Sequence, residues 1–400
     1  MQLADQLSWL RVQGTQIIEQ NGRPVFLRGV NLGCWLMMEG YILHGRNFAA
    51  HLLKQDFARV NGKKELANFK QLFRQNYITA SDIKRIKNLG ANCIRVPFNY
   101  RLVAQERAWN YLDRLISWCR KLRIWLILDL HAAPGAQNPD WHSDSEGRAL
   151  FWNEKRNREL YFKVWREIAA RYKDEPTIAG YDVLNEAVIK DHKVLLRLYQ
   201  QVTKEIRKVD QKHILFLEAN HYGQQLRPLG RPKDKNTAYS IHVYLPINFT
   251  FNFQPHLRYP GYIDGQYWNR QKIQQVISGY QQLAQKWQVP IYVGEFGINY
   301  RSPKYYGELR FLEDLLAAFK KCGFHWTYWT YKAVAGGIYP DGIYQYLPNA
   351  PWVRREGPIS GWENFIQLWP TNKKQIAASW QTEKFTENKY ISKLLSKYAH

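Results

Sequence analysis

The stretch IAGYDVLNE, Ile178 to Glu186, decides the fold. It reads as a buried strand, apolar at Val183 and Leu184, that stops on an amide and a carboxylate side by side, Asn185 and Glu186. Seven further runs share its character: FLRGVNL (Phe26 to Leu32), NCIRVP (Asn92 to Pro97), IWLILDLH (Ile124 to His131), HILFLEA (His213 to Ala219), YSIHVY (Tyr239 to Tyr244), IYVGEF (Ile291 to Phe296) and WTYWTY (Trp326 to Tyr331). Helical patterns separate them. SDIKRIKNLG offers Ser81 as an N-cap and sets Ile83, Ile86 and Leu89 on one face; others lie near 110–122, 158–173, 193–209, 270–287 and 307–321. Near-continuously apolar strands alternating with helices indicate a parallel sheet covered by helices. Eight such units predict an α/β fold of the (β/α)8 TIM barrel type rather than an open doubly wound sheet, and no GxGxxG or GxxxxGKS/T follows a strand to support a nucleotide site.

Length and composition agree with one large unit. Barrels commonly carry a chain of 400 residues as one domain, and no linker, repeat or low-complexity segment divides this one. The reading is a single barrel domain over residues 1–400, with 1–25 a hairpin closing the barrel floor and 371–400 a helical tail ending in the amphipathic ENKYISKLLSKY. Hydrophobic residues make up 45% of the chain, enough for a sizeable core, and aromatics reach 15%, with 16 Trp and 26 Tyr. Most of these rings belong in the core, but such side chains also line sites that stack on flat apolar faces, such as those of sugars.

The formal charge of +23 predicts attraction to polyanions. The charges are scattered, however, in clusters such as Lys84, Arg85 and Lys87 that suit the wet faces of helices, and no nucleic-acid-binding motif appears. No nucleic acid partner is expected. Four dispersed cysteines without a CxxC pair exclude a disulfide scaffold and a cysteine zinc site. MQLADQLSWLRVQ contains Asp5 and lacks the apolar core of a signal peptide, and no apolar run has the length of a membrane span. A cytoplasmic location is slightly favoured, an extracellular one standing open if a signal was removed.

Long connections follow the strands at 33–80, 132–157, 245–269 and 332–370, and so gather at the C-terminal mouth of a barrel. Two are rich in aromatics, NFTFNFQPHLRYPGYIDGQYW and GGIYPDGIYQYLPNAPW. Polar strand ends project into the same mouth. Glu186 closes strand four and Glu295 strand seven, a pair suited to glycoside hydrolysis: one acid to protonate the leaving oxygen and one carboxylate to attack the anomeric carbon. Either glutamate alone could be a buried ion pair or a solvated strand end. Arg95, His131, His242, Tyr244 and Trp329, at or beside four other strand ends, make a purely structural account harder to hold.

The ordered set Arg95, His131, Asn185-Glu186, His242-x-Tyr244, Glu295 and Trp329 resembles the eight-residue constellation of glycoside hydrolase family 5, the cellulase family. DLHAAPGAQN (Asp129 to Asn138), FLRGVNLG and WTYWTYK are most similar to its exo-β-1,3-glucanase-like branch. The resemblance runs from about Phe26 to Lys332 and implies a retaining two-glutamate enzyme without metal or cofactor. It implies Glu186 as acid and then base, Glu295 as the nucleophile aimed by Arg95 and Tyr244, and Asn185 on the sugar 2-hydroxyl. His131 would hold neighbouring hydroxyls, His242 flank the acid and Trp329 form the floor. The family often has proline after the acid; here it is Ala187.

Asn138 and Trp141 are added as sugar-subsite residues, with Glu39, His44, Asn220, His221 and Tyr222 as further candidates just beyond strand ends. His142 and Asp144, with His131, match no standard metal-ligand spacing and are assigned a substrate-loop or structural role. Glu218 also closes a strand but has no Arg or Asn beside it in sequence. The expected function is hydrolysis of β-linked glucosides or glucans, with exo action favoured by the long loops. A β-mannosidase, an endo-glucanase, a glycolipid hydrolase or a transglycosylase fits the same fold. The rivals are a non-catalytic carbohydrate-binding barrel, which usually lacks one carboxylate, and a polyanion-binding barrel.

Overall fold

The computed structural model describes residues 7–43, 45–301, 307–333, 338–345 and 363–400. His44 and part of the GGIYPDGIYQYLPNAPW loop lie outside the described residues. Eight parallel strands close on one another: β1 (Arg28–Asn31), β2 (Cys93–Asn99), β3 (Trp125–Ala132), β4 (Ile178–Asp182), β5 (Ile214–Glu218), β6 (Thr237–Val243), β7 (Ile291–Phe296) and β8 (His325–Tyr328). Each pairs with its neighbour in chain order, and β8 returns to β1. The fold is the (β/α)8 barrel expected from the alternation of strands and helices. Every residue of β2 to β8 is buried, which is why these strands read as continuous apolar runs rather than alternating ones.

A hairpin of Leu10–Gln13 and Gln16–Glu19, joined by Pro24–Val25, covers the N-terminal end. There Leu10, Ile17 and Val25 share one apolar cluster with the strand starts Cys93, Trp125, Ala179, Ile214 and Ala238.

Two regions differ from expectation. The 33–80 connection carries two helices, Ala50–Asn61 and Lys63–Tyr77, whose apolar stripes bury Leu53, Phe57, Phe69, Phe73 and Tyr77. Phe57, Phe69 and Phe73 meet Trp369 or Trp380 edge to face, so the helices depend on a partner more than 290 residues away. Strand β4 is also shorter than predicted, ending at Asp182, so Asn185 and Glu186 stand in the following turn. The chain's last helix, Lys389–Ala399, is capped by Asn388, whose Oδ1 accepts from the Tyr390 and Ile391 amides. Among the described residues no helix is long and apolar enough to cross a membrane.

Candidate active site

Arg95 organises the mouth from below. It lies mid-strand in β2 rather than at the strand end, fully buried, and its guanidinium fans out over several strands. It donates to Glu295 Oε1 (2.7 Å), Asp182 Oδ2 (2.9 Å), Glu218 Oε1 (2.9 Å), Asn185 Oδ1 (2.9 Å) and Asn31 Oδ1 (3.2 Å), and stands 3.2 Å from Asp129 Oδ2. One fixed cation cannot balance four buried carboxylates. Burial, with repulsion from its neighbours and against the pull of Arg95, pushes Asp129 up to about 8, and burial together with Glu218 pushes Asp182 well up. Glu218 is held low, because His242 and Arg95 outweigh its burial.

Glu218, set aside in the sequence for want of an Arg or Asn beside it, is thus part of this cluster. Asp129 and Asp182 were overlooked. Their signal was a charge inside an apolar strand, LILDL and AGYDVL, which a buried strand tolerates only against a partner.

Above this layer Glu295 is carried into place by a β-bulge. Val293 pairs with Ile241, but Glu295 pairs with His242, so Gly294 is the extra residue that turns the carboxylate to the side of His242. A Cβ on Gly294 would meet Ser240 Oγ at 2.7 Å and His242 Nε2 at 3.1 Å. Gly294→Ala is therefore expected to cost about 1–3 kcal/mol of stability, read by thermal melting, and to lower activity by displacing His242. Arg95 holds Glu295 Oε1, and the Tyr244 hydroxyl donates to Oε2 at 2.8 Å.

Glu186 sits at φ +44, left-handed backbone that a non-glycine residue rarely adopts. Both of its peptide groups are pinned: its N–H donates to Glu218 Oε2 (2.7 Å), and its carbonyl accepts from Asn138 Nδ2 (2.9 Å). Two histidines grip its carboxylate, His242 Nδ1 at 2.7 Å from Oε1 and His142 Nε2 at 3.0 Å from Oε2. Burial works to raise its pKa, but these two rings hold Glu186 well below the usual carboxylate range. Carboxylate oxygens of Glu186 and Glu295 and a ring nitrogen of His242 all lie within 4.8 Å of one another. One oxygen of each glutamate thus lies nearer the other than the roughly 6.5–9.5 Å between carboxyl groups that gives an inverting pair room for a water, as the closer spacing of a retaining pair requires.

A polar and aromatic cavity of about 280 Å3 opens over the two glutamates, with Glu39, His131, His142 and Trp329 in its walls. Trp329 and His131 stack at 5.4 Å with 6° between their planes, and the indole N–H donates to Tyr41. His131 Nδ1 stands 2.8 Å from Asp129 Oδ2, and burial lowers the ring to about 3, so it is neutral. Glu39 is buried, its Oε1 has no hydrogen-bond partner among the described residues, and burial pushes its carboxyl well up. Trp141 and Tyr222 line the cavity, as does Tyr339, a residue that carried no signal of its own in the sequence.

Some expected sugar contacts are placed elsewhere. Asn138 is fully buried behind the wall and serves the Glu186 turn; Arg95 and Asn185 lie beneath the cavity, and Asn185 Nδ2 has no hydrogen-bond partner among the described residues. Asn220 ties Ile189 into its loop and His221 is not among the cavity-lining residues.

The oxygens and nitrogens that could hold a metal, on Glu186, His242 and Glu295 or on Asp129, Asp182 and Glu218, are largely engaged by Arg95, Tyr244 and the two histidines. The arrangement is that of a two-carboxylate glycosidase. The family profile described as cellulase (glycosyl hydrolase family 5) matches residues 56–334. The chain belongs to glycosyl hydrolase family 5.

As a family 5 enzyme it is an O-glycosyl hydrolase of the retaining, two-glutamate type. It is 33% identical over 348 residues to a β-xylosidase of Phanerodontia chrysosporium, across 82% of this chain and 71% of that protein. It is also 26% identical over 204 residues to a probable glucan 1,3-β-glucosidase A of Aspergillus niger, across 48% of this chain and 49% of that one. Among solved structures, endoglucanase Cel5A of Thermotoga maritima shares the fold at a TM-score of 0.59 and 20% identity, covering 80% of this chain and 92% of that one.

Proposed function

We propose that this family 5 glycosidase, working as one barrel unit, removes sugar from the ends of β-linked glucans or from short β-glucosides. Glu295 is the nucleophile and Glu186 the acid and base. The observation that carries the assignment is the asymmetry between two neighbouring carboxylates. Glu295 is held by groups that do not give up a proton near neutral pH, an arginine and a tyrosine, whereas Glu186 is held by two imidazoles. The first set suits an anion that must attack, the second a group that must exchange protons.

In this reaction Glu295 attacks the anomeric carbon while Glu186 protonates the departing oxygen. Water, deprotonated by Glu186, then releases the sugar with its configuration retained. The Trp329 and His131 stack is the floor, and Glu39 with Tyr41 closes one side of the cavity. That closure favours a chain end over a threaded polymer.

The likeness to a β-xylosidase favours a second reading, a β-xyloside substrate, which differs from the glucoside in lacking the hydroxymethyl group. Proton NMR of products from short β-1,3-linked glucan oligosaccharides, beside kcat/KM for the 4-nitrophenyl β-glucoside and β-xyloside, tests both. β-Glucose released first is the expected outcome. Mixed long oligosaccharides from a polymer would remove the exo reading, and a higher kcat/KM for the xyloside would move the substrate to xylosides.

A further inference from the structure

His142 places a single ring nitrogen within hydrogen-bonding distance of both an acceptor and a donor. Its Nε2 lies 3.0 Å from Glu186 Oε2 and 3.0 Å from Asn138 Nδ2. The orientation of the Asn138 amide is fixed from both ends: Oδ1 accepts from the Asp140 N–H at 2.9 Å, and Nδ2 donates to the Glu186 carbonyl at 2.9 Å. One amide hydrogen therefore remains for the imidazole. A protonated Nε2 donates to Glu186; a bare Nε2 accepts from Asn138. Either protonation state of the ring thus has a partner already in position.

The other histidine on the same carboxyl differs in access. His242 has a side chain of 0% exposure, whereas that of His142 is 14% exposed and lines the cavity. We propose that His142 is the proton reservoir of the acid and base carboxyl, lending its Nε2 proton to Glu186 for leaving-group departure and recovering it when Glu186 deprotonates water. This rests on the assignment of Glu186 as acid and base.

The proton count balances. In the first step the His142 Nε2–H bond breaks and a Glu186 O–H bond forms; that proton passes to the glycosidic oxygen, which leaves with the electron pair of its bond to the anomeric carbon as Glu295 bonds to that carbon. His142 is left neutral, accepting from Asn138. In the second step the water proton goes to Glu186 and on to Nε2, the water oxygen bonds to the anomeric carbon, and Glu295 regains its electron pair.

The charges around the ring support the resting state. Burial lowers the His142 pKa, but Glu186, Glu39 and Asp140 together raise it to about 9. Among the described residues the neutral His131 ring, at 6.2 Å, and the Tyr222 ring, at 6.3 Å, also face it. Since Glu186 itself is held low, the proton rests on the histidine side of the pair.

His142→Gln retains an amide donor but no titratable proton. It is to be compared with the wild type in kcat/KM against pH on methyl β-glucoside, whose leaving oxygen needs a proton, and on 2,4-dinitrophenyl β-glucoside, whose leaving group departs as an anion. A fall of about 100-fold on the methyl glucoside at pH 7 is expected, with the alkaline limb moved to lower pH, against a change of under about threefold on the dinitrophenyl glucoside. An unchanged pH profile, or an equal loss on both substrates, overturns the inference. His142→Ala with added imidazole should recover the methyl-glucoside rate; no recovery counts against the proposal. Glu186→Ala run beside them separates the two claims. If it keeps the methyl-glucoside rate, the Glu186 assignment falls and this inference with it; if only the His142 variants track the wild type, the reservoir alone is wrong.

Discussion

Glu295→Ala is expected to lower kcat on the order of 10^5-fold, because it removes the atom that forms the covalent intermediate. The fold should survive, since Arg95 keeps its contacts with Asp182, Glu218 and Asn185. Added azide then tells this role from a supporting one. It should enter the space of the lost carboxylate and attack from that face, giving the α-glycosyl azide from a β-glycoside. In Glu186→Ala, where Glu295 still forms the intermediate, azide should instead give the β-glycosyl azide. The measurement is steady-state kinetics with 2,4-dinitrophenyl β-glucoside and NMR of the azide product. A β-azide from the Glu295 variant, or a rate within about tenfold of wild type, would exchange or cancel the two roles.

Arg95→Met should have the largest effect on stability. It leaves Asp129, Asp182, Glu218 and Glu295 buried around a neutral side chain, and removing the partner of a buried charge costs about 3–5 kcal/mol. The cost should depend on pH with a definite sign. Asp129 already has its folded pKa raised to about 8 by burial, and Asp182 is raised as well. Each binds a proton in the folded chain at a pH where the unfolded chain has lost it, so stability falls as pH rises from the unfolded carboxylate range near 4 through the folded pKa. Without Arg95 these groups are raised further, and Glu218 loses one of the three partners that hold it low, keeping His242 and the Glu186 N–H. The variant should therefore melt closest to the wild type near pH 5 and diverge from it towards pH 8 and above. Parallel melting curves across that range would show that Arg95 does not carry the buried charge.

Much of this site was legible because a barrel turns order along the chain into position in space. Once eight apolar runs were counted, Glu186, Glu295, His242 and Tyr244 had to converge at one mouth. Asn138 was less readable: its place in DLHAAPGAQN marks it as part of the loop, but only the fold shows that its amide faces the Glu186 peptide rather than the cavity. Gly294 is a similar case, since GEFG looks like a strand end until the register with β6 reveals a bulge. The helices between 50 and 77 were missed although their apolar spacing is regular, because the rings they bury against, Trp369 and Trp380, come from the far end of the chain.

The sequence by itself determined the barrel, its family, the two glutamates and their order along the strands, since each depends on residue type and period. Only the tertiary structure decided which charges carry protons. That depends on Arg95 meeting four carboxylates from four other strands, and on His142 reaching Glu186 from a loop 44 residues upstream. Electrostatic energies are set by distance and burial, and neither can be read along a chain.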